Sequence, residues 1–160
     1  MPRTHISAET GRTDLTITRE FDALREHVFR AFVDPVLYVR WQGPRRLTTR
    51  LEFFEPRTGG SYRTVQTDID GSLHAFHGVY HEVSAPERII STFEYEGLPE
   101  RGHVVLDATS FEALPGGRTR VTVHSAFLSV EDRDGMLLAG MEEGLDEMYE
   151  QLDELLRELS

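Results

Sequence analysis

The alternation of apolar and polar residues divides the chain into a first strand, two short helices, a long strand-rich segment and a final helix. Residues 14–21 alternate two apolar residues and Arg19 with Thr and Glu, which predicts a strand. Residues 24–33 place apolar side chains at helical spacing, which predicts an amphipathic helix. Asp34 and Pro35 then predict the end of that helix and the start of a second, short one, because Asp is a favourable N-cap and Pro is tolerated in a first turn.

Beyond the short helices, the apolar period changes to two. Five or six strands are predicted over residues 47–55, 61–68, 73–84, 88–97, 102–112 and 118–128. Short connections rich in Gly, Pro and Asp separate them, and such connections favour an antiparallel meander. One face of an antiparallel sheet can remain wet, but the other must be covered.

The last segment predicts a helix about 30 residues long that provides this cover. Its apolar residues recur with alternating spacings of four and three, at Met141, Leu145, Met148, Leu152, Leu155 and Leu159. The positions beside this seam are nearly all acidic, so a symmetric coiled coil would place like charges opposite one another. Packing of the seam against the chain's own sheet is therefore favoured.

Three glycines, Gly135, Gly140 and Gly144, lie in the first half of this segment. Each costs a helix about 1 kcal/mol relative to Ala. Two interpretations remain open at this point. The helix starts late or irregularly, or the missing side chains leave space for a ligand between helix and sheet.

Composition and charge narrow the function classes. The chain has no Cys and no Lys, which excludes disulfides, thiolate chemistry, a lysine Schiff base and a P-loop. The formal net charge is −11, and no basic face of the kind that binds nucleic acid is visible. No apolar run approaches the roughly 20 residues that cross a bilayer. We expect residues 1–13 to form a flexible leader, residues 14–160 to form one domain, and the protein to be cytoplasmic, without membrane insertion or a nucleic-acid partner.

The seven His residues raise the question of a metal site, above all His74, His77 and His81. On one strand, His74 and His77 point to opposite faces, and His77 and His81 lie about 13 Å apart. Two imidazoles at that spacing cannot easily share one ion. We therefore predict no metal, and the alternation does not settle which face His77 and His81 occupy.

Acid–base candidates on the predicted strands are Glu94, Glu96, His103, Asp107 and His124. The apolar residues that alternate with Glu94, Glu96 and His124 predict that these three face water. No nucleophile elbow or zinc-binding helix motif occurs, so no designed catalytic site is visible in the linear sequence.

Aromatic residues are concentrated on the elements that meet between sheet and final helix in the family fold that this order of elements resembles. Small-molecule pockets are usually apolar with a few polar anchors, which Tyr hydroxyls can supply. Trp41 is the first choice, because it stands beside Gly43-Pro44 at the expected mouth. The predicted ligand-binding residues are Trp41, Phe53, Tyr62, Phe76, Tyr80, Phe93, Tyr95, Met141, Gly144 and Met148. Arg50 and Arg63 could add a cation for an acidic ligand, although surface positions are favoured for both.

The order of elements resembles the helix-grip fold of the START-like (SRPBCC) superfamily. Six segments sharpen the likeness: residues 18–35, Trp41-Gln42-Gly43-Pro44, the turn at 56–60, residues 78–83, residues 85–89 and residues 140–156. Together they are similar to the bacterial branch named after the activator of the heat-shock chaperone ATPase. The resemblance covers about residues 14–159. It implies an α+β fold in which a curved antiparallel sheet wraps around a long C-terminal helix, and a cavity between the two.

The resemblance implies less about activity, because most members of this branch have no assigned reaction. The leading interpretation is a protein that binds a small hydrophobic or amphipathic molecule, with no metal or organic cofactor and no defined reaction. One alternative is a cofactor-independent cyclase or hydrolase acting on a polyketide-like substrate. Another is a stress-related protein whose acidic helix docks a chaperone. An exposed sheet edge could pair two copies in a homodimer, although no residue demands it.

Overall fold

The computed structural model describes residues 4–159, and within them eight strands and four helices follow one another. The strands are β1 (His5–Ser7), β2 (Asp14–Phe21), β3 (Thr48–Phe54), β4 (Ser61–Thr67), β5 (Leu73–Ser84), β6 (Arg88–Tyr95), β7 (Val105–Leu114) and β8 (Arg118–Ala126). The helices are α1 (Arg25–Val33), α2 (Pro35–Tyr38), α3 (Val130–Leu138) and α4 (Met141–Leu159).

All eight strands form one antiparallel sheet in the order β1-β2-β8-β7-β6-β5-β4-β3. The run from β3 to β8 is the predicted meander, since each strand pairs with the next along the chain. Strand β2 closes onto β8, which brings the start of the domain beside its last strand. The α+β helix-grip fold predicted from the sequence is confirmed. None of the helices in the described part of the chain has the length and apolar character needed to cross a bilayer.

Part of the predicted flexible leader, residues 5–7, forms a strand in the structure. Strand β1 pairs with β2, with Ile6 opposite Ile17, and Ile6 packs against the core. The side chain of Arg133 also donates to the carbonyl oxygens of Glu9 and Asp14. Residues 5–7 therefore form an edge strand of the sheet, where the sequence predicted no strand. Three residues are too few for their alternation to reveal a strand, and residues 1–3 lie outside the described residues.

The final helix is divided, which also corrects the sequence prediction of one helix about 30 residues long. Helix α3 has nine residues and α4 has nineteen. Gly140 separates them with a φ of +89°, a left-handed conformation that residues other than Gly rarely adopt. This glycine is therefore a helix breaker and does not itself create space above the sheet.

Helix α4 packs on the inner face of the sheet through its C-terminal half. Leu152, Leu155 and Leu156 are buried there, together with Tyr149. An ion pair between a buried Arg and a partly buried Asp accompanies this apolar contact. Arg19 of β2 is 4% exposed and donates two hydrogen bonds to the carboxylate of Asp153, at 3.0 and 2.7 Å. The guanidinium also lies 4.7 Å from the ring centre of Phe21.

Arg19 occupies a position of the buried face, between Ile17 and Phe21. A charge at such a position is tolerated only if it is paired, because an unpaired buried charge is costly. The pair with Asp153 therefore fixes α4 at one place on β2.

Replacement of Asp153 by Ala should leave the Arg19 guanidinium buried without its carboxylate. We expect the free energy of unfolding to fall by about 2–3 kcal/mol, as for other charged hydrogen bonds. Urea denaturation measures this change. Glu150→Ala is the control, because it removes a charge from an exposed position of the same helix and should change stability by less than about 0.5 kcal/mol. Equal losses in both variants would contradict this account of the ion pair.

Candidate functional site: the cavity under helix α4

A cavity of about 390 Å³ lies between the sheet and the N-terminal half of α4. Strands β4 to β8 contribute alternate residues to it, so the cavity faces one side of the sheet. The remaining wall comes from Ile17 of β2, from α3 and the start of α4, and from Phe32, Tyr38, residues 41–44 and Phe127. The apolar lining is therefore built by elements from almost the whole chain.

Most of the residues predicted from the sequence lie along this cavity. They are Trp41, Tyr62, Phe76, Tyr80, Phe93, Met141, Gly144 and Met148. Trp41 is 2% exposed and its ring nitrogen donates to the carbonyl oxygen of Ala31 at 2.9 Å. The sequence placed Trp41 at the mouth, whereas the structure fixes it in the wall, stacked on Tyr149 with ring centres 6.3 Å apart.

Phe53, which the sequence predicted as a ligand-binding residue, does not line the cavity. Strand β3 contains a register shift between Leu51 and Phe53, where an extra residue enters the pairing with β4. A shift of one residue exchanges the faces of all following side chains. Phe53 is consequently 44% exposed, and Phe54 turns inward against Tyr38 and Tyr80.

Tyr95 also lies outside the cavity lining, although it is on the same face as Phe93. It is the last residue of β6 and pairs with Phe76 of β5, which does line the cavity. Its hydroxyl is 3.0 Å from Nδ1 of His74. A strand pattern gives the face of a residue but not how far the cavity extends along the strand.

Gly144 supplies open space on the cavity side of α4. No heavy atom lies within 4 Å of the position that a Cβ would take at Gly144. Of the two interpretations of the helix glycines, an irregular helix applies to Gly140, whereas Gly144 leaves open space between helix and sheet.

Asp107 is the main cavity residue that the predicted site omitted. Among the lining residues in the described part of the chain it is the single carboxylate, and Ser125 Oγ donates to its Oδ1 at 2.5 Å. The sequence contained a signal for it, because Asp107 alternates with Val105, Thr109 and Phe111, all of which are buried. An acidic residue on the apolar face of a strand is the pattern that would have identified it.

Burial raises the pKa of Asp107 to about 6. The hydrogen bond from Ser125 and the nearby His124 act in the opposite direction, but they do not compensate for the loss of water. The carboxylate therefore titrates close to neutral pH. None of the lining residues within the described chain is an Arg or a His.

Several Tyr hydroxyls complete the polar part of the cavity. Tyr62 donates to the carbonyl oxygen of Thr92 at 2.7 Å, and Gly78 leaves room for this contact because a Cβ there would lie 2.7 Å from the hydroxyl oxygen. For residues 4–159, no hydrogen bond is found for the hydroxyls of Tyr38, Tyr80 and Tyr149. Burial raises the pKa of each of these three hydroxyls, so all remain protonated donors at neutral pH.

The candidate cations and His residues lie elsewhere. Arg63 pairs with Glu96 on the outer face of the sheet, where His77 Nδ1 is 2.8 Å from the same carboxylate. This pairing with Arg63 holds the pKa of Glu96 down to about 2. His81 and Arg50 are exposed. Across the described residues, no three His, Asp or Glu side chains are grouped closely enough to hold a metal ion.

Comparison with solved structures finds neighbours that share this fold over nearly their whole length. A protein from Arthrobacter aurescens, solved by NMR, has a TM-score of 0.86 and 28% sequence identity, covering 96% of this chain and 91% of that chain. A crystal structure from Rhodobacter sphaeroides has a TM-score of 0.85 and 26% identity, covering 95% and 97%. Protein Ms6760 from Mycobacterium smegmatis has a TM-score of 0.84 and 25% identity, covering 99% and 100%.

Among curated proteins, no sequence match was found. The sequence profile described as "Activator of Hsp90 ATPase homolog 1-like protein" matches residues 22–157. This match covers most of the chain and confirms the family resemblance seen in the sequence. The protein belongs to the Activator of Hsp90 ATPase homolog 1-like family, within the START-like superfamily.

Proposed function

We propose that the protein binds a small amphipathic molecule in the cavity between the sheet and α4. The observation that carries the proposal is an apolar space of about 390 Å³ into which a few polar groups point. Ligand pockets are typically about 300–1,000 Å³ in volume, mostly apolar and equipped with a small number of polar groups. Family membership supports ligand binding in general.

The polar groups that face the cavity add to this argument. Tyr80 and Tyr149 line the cavity, and no hydrogen bond within residues 4–159 reaches their hydroxyls. These hydroxyls are not among the fully buried polar atoms, so they open onto the cavity and can reach a ligand there. A bound molecule with matching polar atoms would satisfy them while its apolar part fills the space between Trp41 and Met148.

A chaperone-docking function receives less support. The acidic face of α4 would have to meet a basic partner, but several of its acids are already engaged within the chain. Glu154 pairs with Arg45, Glu158 pairs with Arg40, and Asp153 pairs with Arg19. The contacts of these acids therefore hold α4 on its own domain.

Gly144→Leu should fill the cavity and abolish ligand uptake while the domain still folds. The new side chain points into open space, and Leu favours a helix more than Gly by about 0.8 kcal/mol, so stability should not fall. Native mass spectrometry of protein purified from its own host would show a bound small molecule in the wild type and none in the variant.

Gly135→Leu is the matched control, because Gly135 is exposed on α3 and a Cβ there also meets no atom within 4 Å. This variant should retain the bound molecule. Retained uptake by Gly144→Leu, or equal loss in both variants, would contradict the placement of the ligand beneath α4.

Asp107 supports catalysis as a second candidate function of the protein. General acid–base catalysis is most efficient when the pKa of the group lies near the working pH. Asp107 meets this condition, and Tyr38 and Tyr149 present hydroxyl donors in the same cavity. A cyclase-type reaction on a polyketide-like substrate would use Asp107 to accept a proton and a Tyr hydroxyl to stabilise a developing oxyanion.

The raised pKa of Asp107 has a measurable effect on stability. Between the ordinary value of 3.8 and about 6, the folded protein holds a proton that the unfolded chain has released. The resulting stabilisation is fully present below the unfolded pKa and is lost as the pH rises through the folded pKa. Relative to Asp107→Asn, the wild type should therefore lose about 3 kcal/mol between roughly pH 4 and pH 7.

Chemical denaturation of both proteins across this pH range measures the difference, and NMR titration of the Asp107 carboxyl carbon measures the pKa directly. A titration midpoint of Asp107 near the ordinary pKa of 3.8, with no pH-dependent difference in stability between the two proteins, would contradict a role for Asp107 in acid–base catalysis.

A further inference from the structure

We propose that the ligand of this cavity carries a protonated amine, which pairs with the carboxylate of Asp107. This inference rests on the proposed function and narrows its ligand class. It is carried by the arrangement of charge in the cavity: one carboxylate faces the space, and the lining residues of the described chain include no cation to pair with it.

One oxygen of the Asp107 carboxylate is available to accept a hydrogen bond. Ser125 donates to Oδ1, and no hydrogen bond within residues 4–159 reaches Oδ2. An ammonium group has three donors and no acceptor, so it matches a cavity that presents a carboxylate and hydroxyl oxygens. Charge-assisted hydrogen bonds of this type are about twice as strong as neutral ones.

The groups that surround Asp107 on every side are neutral or already paired. Ser91 of β6 and Ser125 of β8 are its cross-strand neighbours. Tyr38 of α2, Tyr62 of β4 and Tyr149 of α4 lie close enough for the Asp107 charge to contribute to raising their pKa values.

Two basic side chains lie in the vicinity, but both have other partners. His124 precedes Ser125 and is bonded to Asp14 on the outer face, with Nε2 and Oδ2 2.8 Å apart. Arg19 is held by Asp153. The protein itself therefore does not neutralise the Asp107 carboxylate.

The aromatic walls favour the same ligand class. Trp41 stacks on Tyr149, and Tyr38 lies with its ring centre 6.2 Å from that of Trp41. The faces of such rings attract cations, most strongly when the site excludes water. A carboxylic acid would instead meet the negative charge of Asp107 in a medium of low dielectric, so acidic ligands are excluded at neutral pH.

Three probes that differ only in their polar group test this inference: naphthylethylamine, naphthylethanol and naphthylpropionic acid. Isothermal titration calorimetry with the wild-type protein at neutral pH should show that the amine binds about tenfold or more tightly than the alcohol, and that the acid binds least. If none of the three binds, the proposed function fails with the inference. If the alcohol binds as tightly as the amine, the inference alone fails.

Asp107→Asn should reduce amine affinity to that of the alcohol and leave alcohol affinity unchanged. The variant keeps the shape of the side chain and an oxygen that accepts from Ser125. Glu112→Gln is the control, because it removes the same charge from an exposed carboxylate on the same strand, paired with Arg120. An amine preference that survives in Asp107→Asn, or that is lost equally in Glu112→Gln, would overturn the inference.

The pH dependence gives an independent readout. An alkylamine stays protonated across this range, so among the described residues that line the cavity Asp107 is the one that changes charge as the pH falls through about 6. Amine affinity of the wild type should therefore fall below that pH, whereas alcohol affinity should not. A pH-independent amine affinity would contradict the pairing.

Discussion

The close packing of the C-terminal half of α4 on the sheet determines where the rest of the helix lies and where the cavity forms. Its C-terminal half packs closely on the sheet, with Leu152 and Leu155 fully buried and Asp153 paired with the buried Arg19. Its N-terminal half carries Gly144 and Met148 and lies above open space. Because the helix is rigid, fixing one half holds the other at a set distance from the sheet. The cavity is therefore a consequence of where the close packing ends.

A second constraint arises from placing a carboxylate in this space. Burial of Asp107 works against folding at neutral pH, and nothing in its surroundings offsets that cost fully. Natural proteins depart from local rules of this kind mainly at functional sites. Arg19 provides the contrast, since it is also a charged residue on the inner face of a strand but is fully buried and has a carboxylate partner. The two residues occupy similar positions on their strands, and they differ in that Arg19 pairs with a residue of opposite charge, whereas Asp107 has no cation beside it among the described residues that line the cavity.

The sequence predicted the fold closely because the fold depends on signals that repeat. The period of two across β3 to β8, the Asp34 cap with Pro35, and the seam of α4 each agree with the structure. The candidate site was predicted less completely, because its errors come from single residues. A bulge exchanged the roles of Phe53 and Phe54, the positive φ of Gly140 broke the last helix, and Tyr95 lies outside the cavity lining. The sequence shows Asp107 as a polar residue on an apolar strand face. Its lack of a cationic partner among the described lining residues and its hydrogen bond with Ser125 depend on residues that are distant in the sequence, so the sequence pattern could not reveal them.

The central claim is that the space beneath the N-terminal half of α4 is hollow and apolar in the folded protein. A crystal structure of ligand-free protein under pressurised xenon tests it directly, because xenon occupies apolar cavities and does not compete for hydrogen bonds. We expect α4 in contact with β2 through Arg19 and Asp153, and xenon density between Trp41 and Met148. A structure in which those side chains meet and fill the space, or in which α4 lies away from the sheet, would contradict the account.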